Sequence, residues 1–485
     1  MRCARSSDRC VGRSRRSASS PRLAHLPVAM STARAVREER TCSLNPRISG
    51  REGYERAMSE PCNMQAFEVL ESNVRADTRS CRAIFSRARG SIMLTEDGRK
   101  VIDFFSGAGA LNYGQNNHAI KAAISEYLAA DAVVHGPDIA TPAKLKFMGT
   151  FNSVILQERG LQYHFQFSGP TGANAIEAAI ELSRKVTGRQ NIISFTHGYH
   201  GLSLGAIAAN GSRLYRAVSG SGLSGTSVMP YDGYLGPAVD TADYVRKVLM
   251  DESSGIDLPA AILVEAVQGE GGINVASKEW LQSIQAIARD IGALLIVDDI
   301  EVGCGRTGEF FSFEFAGLSP DIIVLAKSLS GYGLPLSMLL IKEGLDACLG
   351  ENASMVQGGD LAFVSATAAI DLYWRCRTFS QCISHMGEVV RRRLEAIASQ
   401  HGNGIFAVRG RGMTLGFDCQ VPEISEATTR KAFEKGLIVE RCEPAGQVVK
   451  FLPALTIDLE TLNQGLAIFE EALVETLKQT KVGAT

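Results

Sequence analysis

Two ionisable residues follow apolar segments near the middle of the chain, and their types and positions could do chemistry together. Asp298 ends the apolar run 294–298, and Lys327 directly follows the run 322–326. Apolar runs of this length, rich in β-branched residues, predict strands buried on both faces of a parallel sheet. Ligands of such sheets bind at the carboxyl ends of the strands, where both residues fall. A lysine there could form a Schiff base, and a nearby aspartate could keep the ring nitrogen of pyridoxal phosphate protonated.

A glycine-containing turn earlier in the chain could hold a phosphate group. Residues 168–174 (SGPTGAN) follow an apolar run and precede the helical pattern 174–187. A turn of this kind offers free backbone amides and the positive end of the helix dipole to a phosphate. The alternative is an ordinary capped helix start. The order of phosphate turn, strand-end acid and strand-end lysine is what pyridoxal phosphate requires of an α/β fold.

Other motifs favour neither a nucleotide nor a metal. Residues 303–308 (GCGRTG) match the GxGxxG pattern, but the aromatic segment 309–313 that follows does not resemble the helix that a dinucleotide-binding loop opens. His197 and His200 are three residues apart in a glycine-containing turn without a third ligand in view. We therefore expect no metal site.

Composition favours a multidomain globular protein. The chain has 485 residues, 45% hydrophobic and 21% charged, with a net charge of −2. This length suggests two or three domains, and the balanced charge argues against nucleic acid or an anionic membrane as a partner. The eleven cysteines are scattered without a CxxC pair, which favours reduced thiols and a cytoplasmic location. The sequence has no apolar run as long as a membrane span.

Strand and helix patterns alternate from about residue 119 to 341 and predict an α/β fold with a mostly parallel sheet. Segment 91–104 predicts a hairpin around an Asp-Gly turn, and the chain after Tyr373 predicts a smaller α+β domain. The predicted division is a disordered basic extension (1–63), the first part of the small domain (64–114), a large domain (115–375) and the second part of the small domain (376–485).

The extension is rich in Arg and Ser, and three interpretations of it stay open. It could be a transit segment, a disordered arm, or a stretch that precedes the true start at Met58 or Met64.

The motifs together resemble those of class III aminotransferases of fold-type I, from about Met64 to Leu477. The carrying segments are 298–308 (DDIEVGCGRTG), 199–201 (YHG), 265–272 (EAVQGEGG) and Lys327. The resemblance implies that Lys327 carries pyridoxal 5'-phosphate and moves a proton, that Asp298 pairs with the ring nitrogen, and that Tyr199 stacks on the ring. The cofactor-binding residues that it implies are Thr171, Gly172, Ala173, Tyr199, His200, Glu265, Asp298, Ile300, Glu301, Lys327 and Met355.

Within the class, the chain is similar to the diaminobutyrate–2-oxoglutarate aminotransferases of ectoine biosynthesis. The segments that carry this likeness are 107–114 (GAGALNYG), 135–138 (HGPD), 169–172 (GPTG), 229–234 (MPYDGY), 328–335 (SLSGYGLP) and 361–364 (LAFV). The resemblance implies exchange of the 4-amino group of L-2,4-diaminobutyrate with 2-oxoglutarate by a homodimer. It implies Asn112, Tyr113, Glu270 and Lys450 as substrate-binding residues, with Glu270 pairing with Lys450 when no substrate carboxylate is present.

Three positions depart from the family pattern, and all three touch the cofactor. Glu301 stands where glutamine is expected, Met355 where a partner-subunit threonine is expected, and Ala173 where a hydroxyl side chain is common. A carboxylate facing the ring hydroxyl predicts a raised pKa for Glu301 and loosely held cofactor, unless a cation nearby compensates.

Three functions stay open at this point. The first is a diaminobutyrate aminotransferase, for ectoine or for a siderophore or peptide precursor. The second is another reaction of the same scaffold, such as decarboxylating transamination. The third is a cofactor-impaired paralogue that acts as a binding subunit.

Overall fold

The computed structural model describes residues 64–71, 81–136, 139–220, 222–348, 358–402, 404–442 and 446–482. Contacts divide the chain into two compact units, Met1–Leu70 and Glu71–Thr485. The described part of the first unit contains helix α1 (Met64–Leu70). The predicted extension, residues 1–63, lies outside the described residues.

The second unit alternates strands and helices along the chain. Its strands are β1 (Phe85–Arg89), β2 (Ile92–Thr95), β3 (Lys100–Asp103), β4 (Tyr163–Gly169), β5 (Ile192–Phe195), β6 (Thr226–Met229), β7 (Ala261–Val264), β8 (Val267–Gln268), β9 (Asn274–Val275), β10 (Leu294–Asp298), β11 (Ile322–Leu325), β12 (Ser337–Lys342), β13 (Ala407–Arg411), β14 (Thr414–Asp418), β15 (Leu437–Ile438), β16 (Glu440–Arg441) and β17 (Val448–Phe451). Its longer helices are α2 (His118–Ala129), α3 (Pro142–Phe151), α4 (Gly172–Thr187), α5 (Leu204–Ala209), α6 (Thr241–Met250), α7 (Lys278–Asp290), α8 (Asp360–Tyr373), α9 (Thr378–His401), α10 (Pro422–Glu434) and α11 (Leu459–Val482).

A seven-stranded sheet forms the centre of this unit, in the order β4-β12-β11-β10-β7-β5-β6. Neighbours from β11 to β6 pair in parallel, and β12 runs antiparallel to both β11 and β4. Strands β7, β10 and β11 are buried along their whole length, as their apolar runs predict for a sheet covered on both faces. The predicted α/β fold with a mostly parallel sheet is confirmed.

Helix starts are specified locally. Ser277 caps α7 by accepting a hydrogen bond from the amide of Trp280, and Thr171 and Asn174 form a reciprocal capping box at the start of α4. Such caps satisfy amides that lack an intrahelical acceptor. Helix α7 then buries Trp280, Leu281 and Ile284 in the main core.

The N-terminal hairpin and the C-terminal segment share one sheet. Strands β1, β2 and β3 are antiparallel neighbours, and β15 adds in parallel to β3 with Leu437 opposite Ile102. A second antiparallel sheet has the order β13-β14-β17-β16. This pairing agrees with a small domain built from both ends of the chain, whose boundaries at 64–114 and 376–485 stay a prediction.

Candidate active site

A cavity of about 540 Å³ opens at the carboxyl ends of the central strands. This volume is within the ~300–1,000 Å³ range of ligand pockets. The residues of the predicted site that line it are Thr171, Gly172, Ala173, Tyr199, His200, Glu265, Glu270, Asp298, Ile300, Glu301 and Lys327.

Asp298 occupies the end of β10 and is almost completely buried. Its Oδ2 shares a hydrogen bond of 2.7 Å with Nδ1 of His200, and its Oδ1 accepts one of 3.1 Å from the amide of Ile300. His200 is fixed in turn, because its backbone amide donates to Oδ1 of Asn210 at 2.7 Å. The carboxylate is thus held from two sides while it lines the cavity.

Lys327 follows β11, the parallel neighbour of β10, so the two strand ends lie at one edge of the sheet as the sequence predicts. Its backbone has φ of 48°, a left-handed conformation that costs a non-glycine residue energy and is concentrated at functional sites. Ser328 anchors this turn: its hydroxyl donates to the carbonyl of Gly109 at 2.6 Å and accepts from the amide of Asn112.

The first turn of α4 forms a second wall of the cavity. The Thr171 hydroxyl is engaged with Asn174 in the helix cap, so the free donors at this end are the backbone amides of Gly172 and Ala173. A Cβ atom on Gly172 would lie 2.7 Å from Cδ1 of Ile300, so only glycine lets the turn approach this side chain.

Tyr199 and Glu265 lie on a further side of the cavity. The amide of Tyr199 donates to Oε2 of Glu265 at 3.2 Å, and the phenol ring packs against Tyr215 with centroids 4.7 Å apart. Burial, together with the charge of Asp298, raises the pKa of Glu265 well above its usual range.

A charged cluster centred on Lys450 borders the other end of the cavity through Glu270 and Glu301, which line it. The Lys450 side chain is fully buried, and its Nζ lies 2.6 Å from Glu270 Oε1, 3.2 Å from Glu440 Oε2 and 3.4 Å from Glu301 Oε1. The other oxygen of Glu301, Oε2, accepts from Nζ of Lys327 at 2.5 Å. Glu301 therefore bridges the two lysines.

The charges of this cluster set the pKa of Glu301. Burial raises the pKa of Glu301, but the charges of Lys327 and Lys450 outweigh burial and lower this pKa to about 2. These two lysines are the nearby cations that the sequence argument left open as compensation, and the rise predicted for a Glu301 that faces the ring hydroxyl of the cofactor stays a prediction. For Glu270, burial is the larger effect and raises the pKa to about 7 despite Lys450.

Three of the predicted site residues that the structure describes do not line the cavity: Asn112, Tyr113 and Lys450. Asn112 is fully buried, and its side-chain amide donates to the carbonyl of Cys304 at 3.0 Å. The Tyr113 hydroxyl accepts from the indole of Trp374, and its ring stacks on Tyr373. Both residues thus position neighbouring chain segments in this structure. Met355 lies outside the described residues.

Glu440 is the residue that the sequence argument missed. It lies on β16 directly opposite Lys450 on β17. Both strands are short, and the two residues are ten positions apart in the sequence, so neither an alternating pattern nor a motif marks the pair. Its contact with Lys450 depends on the register of the sheet.

The residues present fit pyridoxal 5'-phosphate. The α4 amides suit a phosphate, the buried pair of Asp298 and His200 suits a protonated ring nitrogen, and Lys327 lies in the same cavity. Within the described ranges, no group of three or more His, Cys, Asp or Glu side chains is placed to hold a metal ion. In the same ranges, no helix combines the length and apolar character needed to cross a membrane.

Fold and site together define a fold-type I pyridoxal-phosphate-dependent transferase. The family "Aminotransferase class-III" matches residues 74–473, and the chain belongs to it. Pyridoxal 5'-phosphate is the cofactor of this family.

Individual proteins agree with this assignment. An uncharacterised aminotransferase of Sinorhizobium fredii is 52% identical over 86% of this chain and 94% of its own length. A diaminobutyrate–2-oxoglutarate transaminase of Bordetella parapertussis is 49% identical over 87% of this chain and 98% of its own. The ornithine aminotransferase structure of Toxoplasma gondii has a TM-score of 0.74 at 20% identity, and covers 90% of this chain and 96% of that one, which shows the shared fold.

Proposed function

We propose that this chain transfers the 4-amino group of L-2,4-diaminobutyrate to 2-oxoglutarate, giving aspartate 4-semialdehyde and glutamate, or runs the reverse reaction, with ectoine biosynthesis as its pathway. The 49% identity to a transaminase of that name over nearly its whole length supports the substrate pair. The observation that carries the proposal is the contact of the buried Lys450 with Glu270, which lines the cavity together with Lys327.

This contact suits an enzyme that must accept two different substrates. When 2-oxoglutarate or glutamate binds, Lys450 supplies a positive charge for a substrate carboxylate. When diaminobutyrate presents its 4-amino end, Glu270 neutralises Lys450 at 2.6 Å. Lysine acts here as a point charge, without the bidentate grip of arginine on a carboxylate.

The residues around the reacting atoms have separate tasks. Bound pyridoxal phosphate supplies an electron sink for the carbon that carries the amino group. Lys327 then holds and moves the proton at that carbon. Its left-handed turn, anchored by Ser328, aims the side chain into the cavity.

Other groups bind and orient the cofactor. Asp298, oriented by His200, would pair with the ring nitrogen. The Gly172 and Ala173 amides would take the phosphate, and Tyr199 and Ile300, which also line the cavity, would pack against the ring.

We further propose that the enzyme works as a homodimer or larger homo-oligomer in the cytoplasm. The family resemblance, in which position 355 faces the cofactor of the partner subunit, supports the dimer. The free cysteines among the described residues agree with a reducing compartment: Cys81, Cys304, Cys376, Cys382, Cys419 and Cys442. Light scattering of the purified protein tests the dimer.

Incubation of the holoenzyme with diaminobutyrate and 2-oxoglutarate tests the reaction. We expect glutamate and aspartate 4-semialdehyde in equal amounts. Carbon dioxide release with a dialkyl amino acid, without glutamate from diaminobutyrate, would instead indicate a decarboxylating transaminase. Failure to bind the cofactor, seen as absence of its visible absorbance, would indicate a cofactor-impaired paralogue.

A further inference from the structure

Lys450 has more negative partners than one substrate-dependent contact requires. Three carboxylates, those of Glu270, Glu301 and Glu440, lie within 3.4 Å of its Nζ. Glu301 divides its charge between Lys450 and Lys327, and Glu270 is the partner that a substrate would displace. Neither the bridge between the two lysines nor the exchange with substrate explains why Glu440 also contacts Lys450.

Glu440 approaches Lys450 from outside the main cavity. It does not line that cavity but belongs to the wall of a neighbouring one of about 510 Å³, together with Phe433, Glu426 and Arg441. Its side chain is 33% exposed, whereas that of Lys450 is 0% exposed. The cross-strand register of β16 and β17 holds the two residues opposite each other.

This position makes Glu440 a permanent partner and Glu270 an exchangeable one. In the proposed function, a substrate carboxylate would enter through the main cavity, whose wall includes Glu270, and would take the place of Glu270 at Lys450. Glu440 lies on β16, where it is not in the path of the substrate. It therefore still neutralises part of the ammonium charge while the substrate is bound.

We propose that Glu440 is a specificity-determining residue that weakens the hold of Lys450 on dicarboxylates. By sharing the ammonium, it limits how tightly 2-oxoglutarate and glutamate bind, so that the site can return to the state that accepts a diamino substrate. This inference rests on the proposed function, because it assumes that Lys450 receives a substrate carboxylate.

Glutarate is a suitable probe, since it carries both carboxylates of 2-oxoglutarate but no reactive keto group. Its binding to holoenzyme is measured by calorimetry for wild type and Glu440→Gln, with valerate as the monocarboxylate of equal length. We expect glutarate to bind about tenfold tighter to the variant, which is about 1.4 kcal/mol. Valerate binding should stay within about twofold, a shift of about 0.4 kcal/mol.

Kinetics give a second readout. The KM for 2-oxoglutarate should fall in Glu440→Gln by a factor similar to that for glutarate. The rate of the diaminobutyrate half-reaction, measured without any dicarboxylate present, should change far less than this KM does, because Glu440 does not line the cavity that holds Lys327. If Glu440 had only a structural role, Glu440→Gln would lower the rates of the diaminobutyrate and 2-oxoglutarate half-reactions together.

Two variants control for charge and folding. Glu426→Gln removes one carboxylate from the same neighbouring cavity, where Glu426 lies 3.7 Å from Arg441, and should leave glutarate binding unchanged. Glu440→Asp keeps the charge but moves it away from Lys450, and should give an intermediate tightening. If Glu440→Gln does not fold, this intermediate variant decides the matter.

Unchanged or weaker glutarate binding in both Glu440 variants would overturn the inference, as would equal tightening in Glu426→Gln. The proposed function fails separately. If Lys450→Met binds glutarate as well as wild type does, Lys450 is not the carboxylate site, whatever Glu440 does.

Discussion

The two ends of the cavity are built on different principles. At the cofactor end, formed by Asp298, His200, Lys327 and the first turn of α4, each polar group has its own fixed support. At the substrate end, Glu270 and Glu301 line the cavity, and together with Glu440 they surround the buried Lys450, so that three carboxylates share one ammonium. Only at the substrate end can one carboxylate leave the buried ammonium of Lys450 while other carboxylates still neutralise it.

The difference follows from what each end must bind. A resident cofactor presents the same groups in every turnover, so fixed donors and acceptors serve it best. Substrates of opposite charge alternate at the other end, where a lone buried lysine would be costly once its substrate left. Glu301 joins the two ends because it contacts both Lys327 and Lys450.

The largest effect should come from Lys327→Ala at the cofactor end. Loss of the group that carries the proton should reduce turnover on the order of 10⁴-fold. Borohydride reduction followed by peptide mass spectrometry should also fail to attach the cofactor at position 327. Lys342→Ala, a half-exposed lysine at the end of β12, is the matched control and should behave as wild type. Cofactor trapped at another lysine would contradict the assignment.

Asp298→Asn should come next. It replaces the carboxylate that His200 orients by an amide, and loss of this group beside the ring nitrogen should reduce turnover roughly 10²–10⁴-fold, equivalent to about 3–5 kcal/mol. Single-turnover rates with saturating cofactor measure this effect. A variant within tenfold of wild type would mean that the cofactor end does not depend on this charge.

The pH dependence of stability should distinguish Asp299, beside the cofactor end, from Glu301. Burial raises the pKa of Asp299 to about 7, although the Ser312 amide donates to its carboxylate. The folded protein therefore holds this proton more tightly than the unfolded chain does. The stabilising contribution of protonated Asp299 is complete below about pH 3.8, the pKa of an ordinary aspartate, and is lost as the pH rises to about 7.

Asn cannot ionise, so Asp299→Asn should not lose stability in this range. As pH rises from about 4 to 7, the unfolding free energy of the variant should therefore increase relative to that of wild type by on the order of 2–4 kcal/mol. Glu301 has a lowered pKa, so its stabilising contribution is present above its unfolded pKa and is lost as the pH falls toward about 2. Glu301→Gln should therefore lose stability relative to wild type as pH rises from about 2 to 4.5. Denaturant unfolding at several pH values measures both, and parallel curves for all three proteins would refute the distinction.

The smallest effect should be that of Glu301→Gln on cofactor affinity. An amide would donate to the ring hydroxyl where a carboxylate repels it, but Lys450 at 3.4 Å already offsets part of that repulsion. We expect pyridoxal phosphate to bind about threefold tighter or less, which is about 0.7 kcal/mol. Dialysis followed by cofactor titration measures it. Tightening of tenfold or more would show that Lys450 does not compensate Glu301.

Local sequence patterns predicted where Asp298, Lys327 and the turn before α4 lie in the fold. The apolar runs before Asp298 and Lys327 specify buried parallel strands, and parallel strands place their carboxyl ends together. The glycine turn before α4 is likewise a local signal. The antiparallel direction of β12 was not predicted, because an apolar run carries no information about strand direction.

Neighbouring residues are enough to specify which groups end the central strands and which turn offers amides. Long-range contacts of the folded chain are needed to specify which charges share a partner. Glu270, Glu301 and Lys450 come from segments up to 180 residues apart, and Glu440 meets Lys450 through sheet register. The pKa of Glu301 is set by the lysines that the fold brings to it, so its direction could not follow from residue type alone.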